Sequence, residues 1–86
     1  MPNPEDYYGK QIAWKDLIKD FPDHYVYYSD VDSDSPYIYN AKVVPRYIVP
    51  ADMQIQGVIA EFAKEGINCN GRYTAEVGVS TWAAFI

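Results

Sequence analysis

The apolar residues of two segments recur at the spacing of a helix face. Residues 12–21 place them three and four positions apart, at Trp14, Leu17, Ile18 and Phe21. This spacing predicts a short helix that Pro22 ends. Residues 51–65 carry a second such stripe, at Ile55, Val58, Ile59 and Phe62, which predicts a longer helix. Gly66 suits the left-handed position after this helix, and Ile67 would then fold back on Phe62.

Two further segments are typical of strands. Residues 24–29 and 37–44 are rich in tyrosine and β-branched residues, a composition that favours sheets. The Asp, Ser and Pro residues of 30–36 predict a turn between them, so the two strands are expected to be antiparallel. Pro45 cannot donate to a strand ladder and therefore marks a bulge, an edge or a strand end. Residues 46–49 are expected to continue in extended form.

A third strand is predicted after the second helix. Asn70-Gly71 indicates a tight turn, and the alternation of apolar positions from Tyr73 onward predicts the strand. The predicted order is thus α-β-β-α-β, in a single domain over residues 1–86 with an irregular lead-in over residues 1–9. This order predicts an α+β fold with a mainly antiparallel sheet. Because each helix has one apolar stripe, we expect both helices to pack on the same face.

Charge and cysteine content exclude several classes of protein. The 86 residues carry a formal net charge of −5 and include a single cysteine, Cys69. An excess of acid repels the phosphates of nucleic acid and of anionic lipid, so we expect neither as a direct partner. One cysteine excludes an intramolecular disulfide. With no signal-peptide pattern and no apolar run long enough to cross a bilayer, we expect a cytoplasmic protein without membrane attachment.

Acidic and tyrosine residues are interleaved over residues 20–41, where no Lys or Arg occurs. Such a surface suits a protein partner with a basic surface, because carboxylates attract its cations and tyrosines supply apolar contact area. The residues predicted to bind the partner are Asp23, Asp30, Asp32, Asp34, Tyr25, Tyr27, Tyr37, Tyr39 and Trp82. The alternative is that the tyrosines only pack the sheet.

Other kinds of site lack a complete motif. The segment Asp30-Val-Asp-Ser-Asp34 copies the opening of a calcium loop, but Ser35 and Ala41 stand where such a loop has Gly and Glu. An exposed acidic turn is therefore favoured over weak calcium binding. Cys69 and His24 are a conceivable nucleophile and base, yet nothing in the sequence places them together. We predict a non-enzyme, with no catalytic residue, no metal ligand and no cofactor.

In size, acidity and lack of catalytic motifs, the chain is similar to the small acidic accessory proteins of phages and mobile elements. That resemblance implies a stoichiometric inhibitor of a nucleic-acid-handling or host-defence protein. The leading hypothesis is therefore a small protein-binding module. Two alternatives stay open. One is a self-associating structural domain, such as a homodimer, and the other is a small-molecule-binding domain that uses tyrosines, His24 and acids.

Overall fold

A computed structural model describes residues 2–33, 40–53 and 55–74. Within these residues lie four strands and two α-helices, together with single turns of 3-10 helix at Pro4–Asp6 and Ala51–Met53. In chain order the elements are β1 (Ile12–Ala13), α1 (Trp14–Asp20), β2 (His24–Asp32), β3 (Lys42–Pro50), α2 (Val58–Lys64) and β4 (Asn70–Tyr73).

The strands form one antiparallel sheet in the order β1-β3-β2-β4. The predicted α+β class with a mainly antiparallel sheet is confirmed. Strand β1 was not predicted, because two residues are too short to show an alternating pattern. It pairs with Val43 and Lys42, so the first helix begins at Trp14 rather than at residue 12.

The predicted pairing of the first two strands is confirmed as β2 against β3. Strand β3 continues in extended form to Pro50. Of the alternatives predicted for Pro45, the structure shows a bulge. Tyr27 pairs with Tyr47 and Tyr28 with Pro45, so Arg46 is an extra residue on β3. A bulged residue leaves the ladder and its side chain is redirected.

The two helices pack on opposite faces of the sheet, which corrects the expectation of a shared face. Alternate residues of a strand point to opposite faces. Val26 and Tyr28 belong to the core cluster that contains the α1 residues Trp14 and Leu17. Tyr27 belongs instead to the cluster packed against α2. An apolar stripe shows that a helix is covered on one side, but it does not say which sheet face covers it.

The second helix is shorter than its apolar stripe. Gly57 has φ of 85°, which a continuous α-helix cannot contain, so α2 begins at Val58. Val58 and Phe62 pack on the sheet, whereas Ile55 precedes the helix and is 52% exposed. The predicted helix end is confirmed. The Ile67 N–H donates to Phe62 O and the Gly66 N–H to Ala63 O, both at 3.0 Å, which is the Schellman pattern.

The N-terminal lead-in covers the open edge of β3 beyond its short pairing with β1. Gly9 N–H donates to Pro45 O at 3.0 Å. The Tyr8 hydroxyl accepts from Ile48 N–H at 2.9 Å and donates to Ile48 O at 3.4 Å. These contacts satisfy backbone groups that an uncovered strand edge would present to other chains.

Candidate functional site

The structure separates the residues that were predicted to bind a partner. Asp23 precedes β2, whereas Asp30 and Asp32 lie at its other end, roughly 20 Å away at the rise of an extended strand. Tyr25 and Tyr27 lie between them on one sheet face. Four of the predicted residues lie outside the described part of the chain: Asp34, Tyr37, Tyr39 and Trp82. The acids of residues 23–32 therefore do not form one patch.

Tyrosines form a continuous row across the α2 side of the sheet, which we call the tyrosine face: Tyr73, Tyr25, Tyr27 and Tyr47. Successive ring centroids are 4.9, 4.8 and 6.0 Å apart, within the range of favourable aromatic contacts. The Tyr27 hydroxyl donates to Ile55 O at 3.2 Å. Burial raises the pKa of Tyr25 and of Tyr27, so these phenols remain protonated and can donate.

Three large apolar side chains stand exposed on the segment that crosses the tyrosine face. We call them the apolar ridge: Met53, Ile55 and Ile59, with exposed fractions of 63, 52 and 44%. Shallow depressions of about 240 and 280 Å³ flank this segment. Tyr25 and Tyr27 line the first, and Tyr47 and Phe62 line the second. Exposed apolar residues grouped beside such depressions are typical of an interaction surface.

Acidic side chains border the ridge at both ends. The Asp23 carbonyl accepts from Ala51 N–H at 3.0 Å, which places the Asp23 backbone beside Ala51, the residue before Asp52. Glu61 and Glu65 line the larger depression at the other end. Lys64 lies 3.3 Å from Glu61, but both side chains are more than 70% exposed, and such a pair contributes little. The ridge is thus apolar at its centre and negative at its rim.

Gly71 makes room for the aromatic ring at the centre of the tyrosine face. A Cβ atom on Gly71 would stand 2.7 Å from the Tyr25 hydroxyl oxygen, well inside van der Waals contact. We expect Gly71→Ala to lower the free energy of unfolding by about 1–2 kcal/mol, because the ring must move away. Urea denaturation of both proteins measures the difference.

The matched control for Gly71→Ala is the same substitution in a Tyr25→Ala background. With the ring absent, the added methyl group meets no obstacle, so the double-mutant cycle should show a coupling about as large as the single-mutant cost. An equal cost in both backgrounds would mean that the Gly71 backbone, and not the Tyr25 ring, requires glycine.

A separate polar cleft of about 510 Å³ lies between the end of β2, the bulge of β3 and residues 66–70. Arg46 Nη2 lies 3.2 Å from Asp30 Oδ2, and Arg46 Nε donates to Ser29 Oγ at 2.9 Å. Ser29 Oγ in turn donates to Asp30 Oδ2 at 2.9 Å. Asp30 has φ of 53°, a left-handed conformation that is costly for most residues but that Asp tolerates.

The remaining candidates from the sequence do not come together. Cys69 precedes β4 beside Tyr28 and Ser29, whereas His24 bonds Thr74 at the other end of β4, roughly 15 Å away along the strand. Burial raises the pKa of the Cys69 thiol, and the positive charge of Arg46 only partly offsets this. The Asp32 carboxylate accepts from Gln11 at 3.3 Å. Within residues 2–33, 40–53 and 55–74, no three His, Cys, Asp or Glu side chains are grouped as metal ligands are.

Two features of these sites were not predicted from the sequence: the position of Arg46 and the exposure of Ile55 and Ile59. Arg46 lies outside the acidic segment, and only strand pairing with a bulge brings it to Asp30. Ile55 and Ile59 fitted a buried helix stripe, and Gly57 was the only signal that the stripe would be broken. A glycine two residues after Ile55, inside an apparent helix, is the pattern that would have pointed to their exposure.

Comparison with known proteins gives no match: no family model, no curated protein and no solved structure matches this chain significantly. Among the described helices, none has the length and apolar character needed to cross a bilayer.

Proposed function

We propose that this protein is a small acidic protein-binding module that docks on a basic surface of a partner through the apolar ridge and the tyrosine face. The observation that carries the proposal is the exposure of Met53, Ile55 and Ile59, at 63, 52 and 44%, beside half-buried tyrosines. A small domain gains stability by burying such side chains. Because these three side chains are exposed together on one segment and not buried in the core, burial against a partner is favoured.

Charge complementarity supports a basic partner. The rim contributes Asp23, Asp52, Glu61 and Glu65, and no Lys or Arg is among the described residues that line the two depressions. The whole chain has a net charge of −5. Carboxylates around an apolar centre speed association with a cationic surface, while the buried aromatic and aliphatic groups supply most of the affinity. Nucleic acid fits this rim poorly, because its phosphates would be repelled.

The partner class that we propose is a nucleic-acid-handling or host-defence protein, on which this chain acts as a stoichiometric inhibitor. Such proteins carry basic grooves, and an acidic module seated in one would compete with the nucleic acid. The resemblance in size and acidity to phage and mobile-element accessory proteins supports the same class. The single free cysteine, Cys69, fits action in a reducing cytoplasm.

Affinity capture from a bacterial lysate tests the proposal. We expect the wild-type chain to retain a protein with a basic groove at low salt and to release it as salt rises, because exposed charges are screened. Ile55→Ser/Ile59→Ser should abolish capture by removing apolar contact without disturbing the core. Asp23→Asn/Asp52→Asn should weaken capture and flatten its salt dependence. Purified partner, titrated by calorimetry, then gives stoichiometry and affinity.

Two charge-matched controls locate the surface. Glu5→Gln/Asp16→Asn removes two charges from the α1 side and should leave capture intact. Asp30→Asn/Asp32→Asn removes two charges from the far end of β2 and should also leave it intact. Capture lost only in the Asp30/Asp32 variant would move the site to the acidic turn. Dimerisation of the wild type that Ile55→Ser/Ile59→Ser abolishes, with no captured protein, would mean that a second copy covers the ridge.

A further inference from the structure

We propose that the polar cleft at Ser29, Asp30 and Arg46 binds a free α-amino acid as its zwitterion. The ligand carboxylate would face Arg46 and the ligand ammonium group would face Asp30. This site is separate from the apolar ridge, and it does not depend on the protein-binding function. Its volume of about 510 Å³ is within the usual range of small-molecule sites.

The cleft presents a fixed positive and a fixed negative group side by side. Asp30 Oδ2 accepts from Ser29 Oγ and from Arg46 Nη2, and Arg46 Nε donates to Ser29 Oγ. In the described part of the chain, Arg46 Nη1 and Asp30 Oδ1 have no hydrogen-bond partner. The side chains are 27 and 68% exposed, so both groups can reach a ligand. The Asp30 carboxylate would repel a simple anion, and the Arg46 guanidinium would repel a simple cation.

The short separation of the two charges selects the class of ligand. Arg46 and Asp30 lie 3.2 Å apart. In an α-amino acid the ammonium nitrogen lies about 2.5 Å from the carboxyl carbon, since two bonds join them. The dipole of the ligand and that of the Arg46–Asp30 pair can therefore align antiparallel, so that each charge of the ligand faces the opposite charge of the protein. A dipeptide separates its terminal charges by one further residue, about 3.8 Å more, and cannot satisfy both groups at once.

The rest of the cleft provides polar and apolar contacts. Asn68, Asn70, Val31 and Ile67 also line the cleft, so it offers both amide groups and apolar surface. An aliphatic side chain on the ligand could contact Val31 and Ile67, so leucine should bind more tightly than glycine.

Two local distortions of the sheet bring the charged pair together. The β2–β3 ladder shifts register between Tyr27 and Tyr28 and again between Ser29 and Asp32. The first shift frees Arg46, and the second contains Asp30 in its left-handed conformation. Bulges that redirect side chains recur beside binding sites.

Titration of the isotopically labelled protein with L-leucine, followed by two-dimensional NMR, tests the proposal. We expect the backbone amides of Ser29, Ile67 and Asn68 to shift saturably as L-leucine is added. The titration runs to about 20 mM leucine, a concentration of about 10 Kd or less. N-acetyl-leucine amide, which lacks both charges, should shift none of them. Leucyl-leucine should bind at least tenfold more weakly. No shift with leucine, or equal affinity for either analogue, would overturn the proposal.

Variants assign the effect to the charged pair. Arg46→Met and Asp30→Asn should each raise the Kd for leucine at least tenfold. Asp30→Gly removes the carboxylate, and glycine adopts a φ of 53° without strain. A folded Asp30→Gly protein that has lost binding therefore confirms the role of the carboxylate. Lys64→Met and Glu61→Gln neutralise the exposed pair on α2 and should leave the Kd unchanged. Unchanged binding in Asp30→Gly would overturn the proposal.

Discussion

Replacement of Trp14 by alanine is expected to lower the free energy of unfolding by about 3–5 kcal/mol. Trp14 is fully buried at the start of α1, and its ring meets that of Tyr28 edge-on at 5.4 Å. It is among the largest of the fully buried side chains in the described residues. Because domains are stable by only about 5–15 kcal/mol, this loss is a large share of the total, and the variant should melt at a much lower temperature than the wild type. Circular dichroism during thermal melting measures the loss.

Trp14→Phe is the control for this prediction. Trp14 Nε1 is buried and has no hydrogen-bond partner in the described part of the chain. Phenylalanine keeps an aromatic ring against Tyr28 and removes that donor, so part of the lost packing is offset. We expect Trp14→Phe to cost less than half as much as Trp14→Ala. Equal costs would show that the full indole volume, and not an aromatic anchor, holds the α1 side of the sheet.

Replacement of Thr74 by valine is the second large expected effect, at about 1–3 kcal/mol for each backbone group left without a partner. Thr74 is fully buried. Its hydroxyl donates to Phe21 O at 2.5 Å and accepts from His24 N–H at 3.2 Å. Valine has the same shape but no hydroxyl, so Phe21 O and the His24 N–H would both lose this partner. Urea denaturation measures the change.

Thr74→Ser tests the chemical origin of that effect. Serine keeps the hydroxyl and loses one methyl group, so the backbone bonds to Phe21 and His24 persist. We expect a cost of about 1 kcal/mol, close to that of one buried methyl group. A serine variant as unstable as the valine variant would show that packing of the methyl group, and not the hydroxyl bonds, joins β4 to the start of β2.

The acidic segment shows how strand pairing changes a surface that composition suggests. Residues 20–41 contain no Lys or Arg, and Asp30 and Asp32 were expected to face a partner. In the structure Asp30 also bonds Arg46 from the neighbouring strand, and Asp32 accepts from Gln11. Both partners are distant in sequence, and Arg46 reaches Asp30 only because a bulge releases it. The run of acidic residues in the sequence therefore overstated how many carboxylates at this end of β2 have no hydrogen-bond partner.

Local pattern determined much of the fold of this protein. The stripe in α1, the β-rich composition of β2 and the glycine end of α2 depend on interactions within a few residues, so the sequence alone predicts them. Tertiary structure decided which sheet face each helix covers, since an apolar stripe fits either face. It also decided the exposure of Ile55 and Ile59 and the meeting of Asp30 with Arg46. Those outcomes depend on the break at Gly57 and on strand register, which are settled only when distant segments pack together.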